Sequence, residues 1–212
     1  MSIHIAPPES VGMSSERLER IGPVMESYVS ERGVVGISTL ISRRGHVVHA
    51  DQFGDRDREA GLPITPDTIF RIYSMTKPIV STALMLLHEE ARFQLEHPVA
   101  NYLPAFGSLQ VLAEDGSLVD SVRPIEIRDL LTHTSGLTYD FMVDTPVGQM
   151  YRDAKISHDA TRTLAEMIDE LATLPLAAQP GARWHYSVGI DVAARLIEVL
   201  SGLPLGEFRS ER

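Results

Sequence analysis

Ser74 and Lys77 stand three residues apart, just before a long apolar run that is typical of a buried helix. Positions i and i+3 of a helix share one face, so the Lys77 amine is within reach of the Ser74 hydroxyl. A serine hydroxyl is a weak nucleophile until a neighbouring base takes its proton. A lysine can be that base if burial or nearby positive charge lowers its pKa. The spacing therefore predicts a helix that carries a Ser–Lys nucleophile at its start.

The same residues also have a purely structural interpretation. Serine is a common helix cap, and Lys77 would then be a solvated side chain one turn further on. Pro78 bears on both interpretations, because a proline disfavours helical geometry at the residue before it. That objection does not apply if Pro78 lies in the first helical turn, where backbone N–H groups have no partner within the helix. We therefore expect Ser74 at or near the helix start.

Composition argues against several other kinds of site. The net charge is -10 and no arginine-rich or lysine-rich stretch occurs, so no nucleic-acid partner is expected. The chain has no cysteine, which excludes thiol nucleophiles and thiolate metal sites. No complete zinc motif, dinucleotide fingerprint or P-loop is present, so neither a metal nor a cofactor is expected. With no signal-peptide pattern and no apolar run long enough for a bilayer, we expect a cytoplasmic protein without a membrane partner.

Hydrophobic patterning predicts two parts, residues 1–73 and residues 74–212. The first part is expected to hold a helix, a β-hairpin and a loop, and the second to be mostly helical. The expected elements are a helix over 14–32, strands over 34–42 and 46–50, a loop over 54–68, the Ser74 helix to about residue 91, and helices over 125–131, 158–174 and 188–201.

Three stretches together resemble a known superfamily. They are Thr65–Pro78, Leu130–Leu137 and Pro180–Ser187. In this order they resemble the serine β-lactamase and penicillin-binding-protein superfamily, most closely its class C-like branch with the family VIII carboxylesterases. The resemblance runs from about residue 10 to the end of the chain. It implies an α/β (α+β) fold, in which an antiparallel sheet is flanked by helices and joined to a further helical region.

The resemblance also implies roles for three side chains. Ser74 would be the acylated nucleophile, and its backbone N–H would form half of an oxyanion hole. Lys77 would be the general-base partner of Ser74. Tyr186 would match the tyrosine of the second motif and act as a base or proton relay.

Other aromatic residues near these motifs have two interpretations. Tyr139 and Trp184 are candidates for lining a substrate pocket, with an ordinary buried aromatic as the equal alternative for each. His133 is interpreted as structural, because Lys77 already fills the role of base.

The chain departs from the superfamily pattern in two ways. Lactamases of this branch carry Tyr-x-Asn, whereas this chain has Tyr186-Ser187-Val188, which favours an ester over a β-lactam substrate. Members are also nearly twice as long, and their C-terminal half supplies most of the sheet strands and a third motif. Those strands are therefore expected to be absent here. We expect the chain alone to be unstable or inactive, with a complementary C-terminal half or a second copy of the chain as partner.

The expected function is that of a carboxylesterase that forms an acyl-enzyme on Ser74 and hydrolyses small, short-chain esters. The alternatives within the same chemistry are a β-lactamase, a D-amino-acid peptidase and an acyltransferase. An alternative of another class is a non-catalytic ligand-binding relative or an inactive fragment.

Overall fold

The computed structural model describes residues 3–142 and 145–211. Within it the chain forms two compact units, Met1–Arg71 and Ile72–Arg212. The helices are α1 Ser15–Leu18, α2 Ile21–Glu31, α3 Thr76–Glu89, α4 Ile127–Leu131, α5 Pro146–Asp153, α6 Leu164–Leu171, α7 Gly189–Ser201 and α8 Leu205–Glu211. The strands are β1 Gly36–Arg43, β2 His46–Asp57, β3 Leu62–Pro63, β4 Gln110–Leu112 and β5 Leu118–Asp120.

The first unit is a three-stranded antiparallel sheet in the order β1-β2-β3, with α2 packed against β1 and β2. Arg44 and Gly45 join β1 to β2 and both have positive φ, the conformation that tight hairpins require. The predicted hairpin is confirmed. The predicted loop over 54–68 is wrong in part, because β2 continues to Asp57 and pairs with β3. The predicted helix over 14–32 is divided into α1 and α2 by a turn at residues 19–20.

The second unit is built on the packing of α3 against α7. Val80, Ala83, Leu84 and Leu87 recur at helical spacing along α3 and are buried, so they form the stripe that faces the core. Helices make up most of the regular secondary structure described in the second unit. Helices and antiparallel sheets occur together, which confirms the predicted α/β (α+β) class.

Some short elements of the second unit differ from the prediction. The helix expected over 158–174 spans only Leu164–Leu171. A capping box between Thr163 and Glu166 fixes its start. The patterning missed α5, α8 and the β4–β5 hairpin. Strand β4 also exchanges backbone hydrogen bonds with Leu176, so its pairing depends on chain segments far apart in sequence.

Gly136 lies where two chain segments meet closely. Its φ is +84°, and a Cβ atom there would stand 2.1 Å from the Ala178 carbonyl oxygen. We expect Gly136→Ala to lower the free energy of unfolding by about 2–4 kcal/mol, from backbone strain and steric overlap together. Gly116→Ala is the matched control, because Gly116 has the same φ with no atom within 4 Å of the added Cβ. Thermal unfolding of both variants checks this. Equal losses of stability in the two variants would show that the approach of the added Cβ to the Ala178 carbonyl oxygen contributes nothing.

Candidate active site

The chain reaches α3 through a single 3-10 turn, Tyr73–Met75, which presents Ser74 to solvent. Tyr73 has φ +46°, a left-handed conformation that is uncommon for a non-glycine residue and turns the chain sharply before Ser74. Helix α3 then starts at Thr76, so Lys77 and Pro78 both lie in its first turn. The expectation that Ser74 lies near the helix start, with Pro78 in the first turn, is confirmed.

Ser74, Lys77 and Tyr186 meet at this turn. The Ser74 Oγ lies 2.6 Å from the Tyr186 hydroxyl oxygen, and the Lys77 Nζ lies 3.5 Å from the same Oγ. The Nζ is also 4.8 Å from the centroid of the Tyr186 ring. The structure therefore places the three predicted catalytic side chains together, although Tyr186 is 112 residues from Ser74.

Tyr139 supplies a further contact to the lysine. Lys77 Nζ donates a hydrogen bond of 2.9 Å to the Tyr139 hydroxyl oxygen. The Tyr139 ring also stacks on Phe141, at 4.7 Å between centroids. Tyr139 is thus an orienting partner of Lys77 as well as a residue that lines the adjacent cavity.

The pKa shifts of Lys77 and Tyr186 run in opposite directions. Burial lowers the pKa of the Lys77 ammonium, but the hydroxyls of Tyr139 and Tyr186 outweigh burial and raise it overall. Burial raises the pKa of the Tyr186 phenol, but the hydrogen bonds to Ser74 and Lys77 and the Lys77 charge lower it overall. The condition that a basic lysine needs, a lowered pKa, is therefore not met. The pKa of Lys77 is thus raised and that of Tyr186 is lowered.

Segment 184–188 holds Tyr186 in place through hydrogen bonds to segment 133–138. His185 N donates to the His133 carbonyl oxygen at 2.7 Å, and Val188 N donates to the Thr138 carbonyl oxygen at 3.2 Å. The buried His185 ring adds a 2.8 Å hydrogen bond between its Nε2 and the Thr138 Oγ1. The stretch Leu130–Leu137 thus includes part of the frame that supports the tyrosine.

His133 and Trp184 lie beside Tyr186. The His133 ring is 4.8 Å from the Tyr186 ring, and its Nδ1 accepts a 3.3 Å hydrogen bond from Ser187 N. The Trp184 ring is 6.4 Å from the Tyr186 ring and is 65% exposed. Trp184 is not among the described residues that line the cavity beside Ser74. Its assignment to substrate binding stays a prediction.

A cavity of about 390 Å³ opens beside Ser74. Apart from the polar residues of the site, its lining is apolar and comes mainly from α3, α6, α7 and α8. The apolar lining residues of these helices are Val80, Leu164, Ile190, Ala194 and Leu205. A cavity of this size and lining could hold a small apolar group beside Ser74.

Sequence reasoning missed Asp191, which lines the same cavity. An aspartate in the first turn of a helix is commonly a favourable partner of the helix dipole, and this gave no reason to single it out. The available signal was its position one turn before Ala194, on a helix that is otherwise largely buried.

The described part of the chain holds neither a candidate metal cluster nor a candidate membrane-spanning helix. No cluster of three or more histidine, aspartate or glutamate side chains in residues 3–142 and 145–211 could hold a metal ion. None of the helices described there is long and apolar enough to cross a bilayer.

The family described as Beta-lactamase matches residues 21–212 of this chain. Among curated proteins, the chain is 37% identical over 181 residues to Protein Rv1367c of Mycobacterium tuberculosis, covering 84% of this chain and 44% of that protein. It is 35% identical over 190 residues to Esterase EstB of Burkholderia gladioli, covering 88% of this chain and 46% of the esterase. The chain thus spans about half the length of these relatives.

A solved structure with the same fold is EstCE1, described as a hydrolase with promiscuous acyltransferase activity. It aligns with a TM-score of 0.78 and 32% identity, covering 92% of this chain and 49% of EstCE1. The resemblance inferred from the three motifs and the β-lactamase-like fold are both confirmed. The match to about half of each relative agrees with the expectation that the sequence corresponds to the N-terminal half of the superfamily pattern.

Proposed function

This chain belongs to the Beta-lactamase family, and from that membership we propose that it is a serine hydrolase that forms an acyl-enzyme on Ser74. We further propose that it acts as a carboxylesterase on small esters with a short, apolar acyl group. The observation that carries the proposal is the 2.6 Å contact between Ser74 Oγ and the Tyr186 hydroxyl, beside the Lys77 ammonium.

The proposed acylation step uses these three groups. Tyr186 takes the proton from Ser74 Oγ as the oxygen attacks the ester carbonyl, and the Lys77 charge favours the phenolate form of Tyr186. The electron pair of the carbonyl π bond moves to the carbonyl oxygen, which becomes an oxyanion in a tetrahedral intermediate. The carbonyl double bond then re-forms as the C–O bond to the alcohol breaks. The proton held by Tyr186 passes to the departing alcohol. The product of this step is an ester between the acyl group and Ser74.

Deacylation follows the same steps, with water as the nucleophile and Ser74 as the leaving group. Tyr186 takes a proton from a water molecule as its oxygen attacks the acyl carbonyl. The bond to Ser74 Oγ breaks, and that oxygen receives the proton from Tyr186. The acid leaves, and both Ser74 and Tyr186 return to their starting protonation states. An alcohol in place of water would give acyl transfer by the same steps.

One feature of the sequence favours an ester over a β-lactam as the proposed substrate. Val188 occupies the position at which lactamases of the class C-like branch carry an asparagine, and a valine side chain offers no amide to a β-lactam. The expected result is a higher rate of hydrolysis for p-nitrophenyl butyrate than for a chromogenic cephalosporin. An ester-to-cephalosporin activity ratio near or below one would overturn the substrate assignment. Product analysis in the presence of an added alcohol separates the hydrolase from an acyltransferase.

Labelling with a fluorophosphonate probe tests the nucleophile directly. The intact mass is measured before and after treatment, and peptide mapping then locates the adduct. We expect one adduct, on Ser74, and none in the Ser74→Ala variant. The matched control is Ser81→Ala, which changes a serine of α3 that does not line the cavity. The untreated mass shows the length of the natural chain, and no adduct on a folded protein of that length would favour the ligand-binding alternative.

A further inference from the structure

Four aromatic rings form a continuous row through the candidate active site, which we call the aromatic row. The Trp184 ring is 6.4 Å from the Tyr186 ring, measured between centroids, and the Tyr186 ring is 5.3 Å from the Tyr139 ring. Phe141 extends the row, because its ring lies 4.7 Å from that of Tyr139. The rings at the two ends are exposed, Trp184 to 65% and Phe141 to 59%. Ser74 Oγ meets the row at the Tyr186 hydroxyl oxygen, 2.6 Å away.

The two ends of the aromatic row differ in their relation to the cavity. Tyr139 and Phe141 line the cavity, whereas Trp184 is not among the described residues that do so. In the proposed reaction the acyl part of the ester occupies the cavity, so the alcohol part extends outside it. Tyr186 passes its proton to the departing alcohol oxygen, which therefore comes within hydrogen-bond reach of the Tyr186 hydroxyl. The exposed Trp184 ring, which neighbours Tyr186, is then the aromatic surface beside the alcohol part.

The chain on both sides of Trp184 is held by hydrogen bonds. Gly181 N donates to the Thr134 carbonyl oxygen at 2.8 Å, and His185 N donates to the His133 carbonyl oxygen at 2.7 Å. The His133 ring also packs edge-on against the indole, with 6.2 Å between centroids and 78° between the ring planes. An aromatic ring that is already held in place loses little freedom when a ligand stacks on it. Trp184 is therefore a preorganised surface for binding.

We propose that Trp184 binds the alcohol part of the substrate and selects esters whose alcohol carries a planar aromatic ring, such as benzyl esters. Its catalytic meaning rests on the proposed function, but the binding of an aromatic alcohol to Trp184 does not depend on acylation. An indole attracts an aromatic ring by stacking, in addition to the apolar area that the contact buries. A saturated ring of similar size buries a comparable area and lacks the stacking contribution. The substrate class is therefore a short acyl ester of an arylalkyl alcohol.

Two esters with the same acyl group test this selection, benzyl butyrate and cyclohexylmethyl butyrate. Their alcohols are similar in size and acidity and differ in aromatic character. In Trp184→Leu of the full natural chain, the ratio of kcat/KM for the benzyl ester to that for the cyclohexylmethyl ester should fall about five-fold, the scale of one aromatic contact. Trp184→Phe should restore a ratio near that of the wild type, because a phenyl ring also stacks. An unchanged ratio in folded Trp184→Leu would overturn the proposal.

Phe141→Leu is the matched control, because it removes the exposed ring at the other end of the aromatic row. Phe141 lines the cavity, so this variant should change the order of rates among acetyl, butyryl and hexanoyl esters. The ratio between the benzyl and cyclohexylmethyl esters should stay as in the wild type. A fall of that ratio in Phe141→Leu equal to the fall in Trp184→Leu would overturn the assignment of the alcohol part to Trp184.

A binding measurement separates this proposal from the proposed hydrolysis. Trp184 is the only tryptophan of the chain, so its indole N–H gives a single resonance in a proton–nitrogen correlation spectrum. In Ser74→Ala, benzyl alcohol should shift this resonance saturably, and cyclohexylmethanol at the same concentrations should shift it much less. Equal shifts, or no shift with benzyl alcohol, would overturn the proposal, and this holds even if Trp184→Leu does not fold. Binding of benzyl alcohol without fluorophosphonate labelling of wild-type Ser74 would overturn the proposed function alone.

Discussion

Ser74→Ala, Lys77→Ala and Tyr186→Phe are each expected to lower the rate of ester hydrolysis on the order of a thousand-fold or more. Ser74→Ala removes the oxygen that would bond to the acyl group. Tyr186→Phe removes the hydroxyl 2.6 Å from that oxygen, and with it the proposed base. Lys77→Ala removes the charge that lowers the Tyr186 pKa. The measurement is kcat/KM on p-nitrophenyl butyrate, with the full natural chain.

Groups that act in one step are not additive, so the triple variant should lose little more activity than the worst single variant. Matched controls are available for each side chain: Ser81→Ala, Lys155→Ala and Tyr28→Phe. Lys155 is the only other lysine of the chain and is exposed. If the three site variants retained wild-type rates, the assignment of the catalytic groups would be wrong.

The pH dependence of the proposed reaction follows from the pKa shifts of Tyr186 and Lys77. The lowered pKa of Tyr186 extends the phenolate form to lower pH than an ordinary tyrosine allows. The raised pKa of Lys77 keeps the ammonium charged to higher pH than an ordinary lysine. The rising limb of kcat/KM against pH should therefore lie below the ordinary tyrosine pKa, and the falling limb, from Lys77, above the ordinary lysine pKa. A rising limb at or above the ordinary tyrosine pKa would contradict the role proposed for Tyr186.

Asp129→Asn is expected to lower the free energy of unfolding by about 2–4 kcal/mol, because it breaks a largely buried ion pair. Asp129 is 3% exposed, and its two carboxylate oxygens accept hydrogen bonds of 2.7 Å and 2.9 Å from Arg123. The same carboxylate accepts from Glu126 N at 2.9 Å and from Thr134 Oγ1 at 3.0 Å. It therefore ties the start of α4 to the loop that supports Tyr186.

The pH dependence of this effect has a definite sign. Burial raises the pKa of Asp129, but hydrogen bonds from Arg123, Glu126 N and Thr134 outweigh burial and lower it overall. The stabilisation is therefore fully present above the ordinary aspartate pKa and is lost as pH falls through the lowered value. In urea unfolding from pH 7 to pH 3, the difference in unfolding free energy between wild type and Asp129→Asn should become smaller as the pH falls. Asp169→Asn is the exposed control, and a gap that stays constant with pH would contradict the ion-pair explanation.

The local part of the site could be predicted from the sequence. Ser74 and Lys77 are close because the 3-10 turn that holds Ser74 runs directly into α3, so the two residues keep helical spacing. Long elements were predicted for the same reason. The β1–β2 hairpin and α7 carry periodic apolar patterns, and Gly202 ends α7 in the left-handed conformation that glycine adopts without strain.

Short elements could not be predicted in this way. Strand β3 has two residues and β4 three, too few to carry a periodic pattern. Backbone pairing with distant segments stabilises them, as between Leu112 N and the Leu176 carbonyl oxygen. Helices α5 and α8 are similarly short, and their boundaries depend on capping and packing rather than on propensity.

The sequence by itself predicted the Ser74–Lys77 pair and, through three motifs, the family and the third residue of the site, Tyr186. Only the tertiary structure shows the surroundings that shift the pKa values of Lys77 and Tyr186 in opposite directions. The pKa of Lys77 depends on Tyr139 and Tyr186, which lie far from it in sequence, and their hydroxyls outweigh the effect of burial. Asp191 reaches the cavity because α7 packs on α3. Charge balance at a site arises from groups that folding brings together, and such groups need share no spacing along the chain.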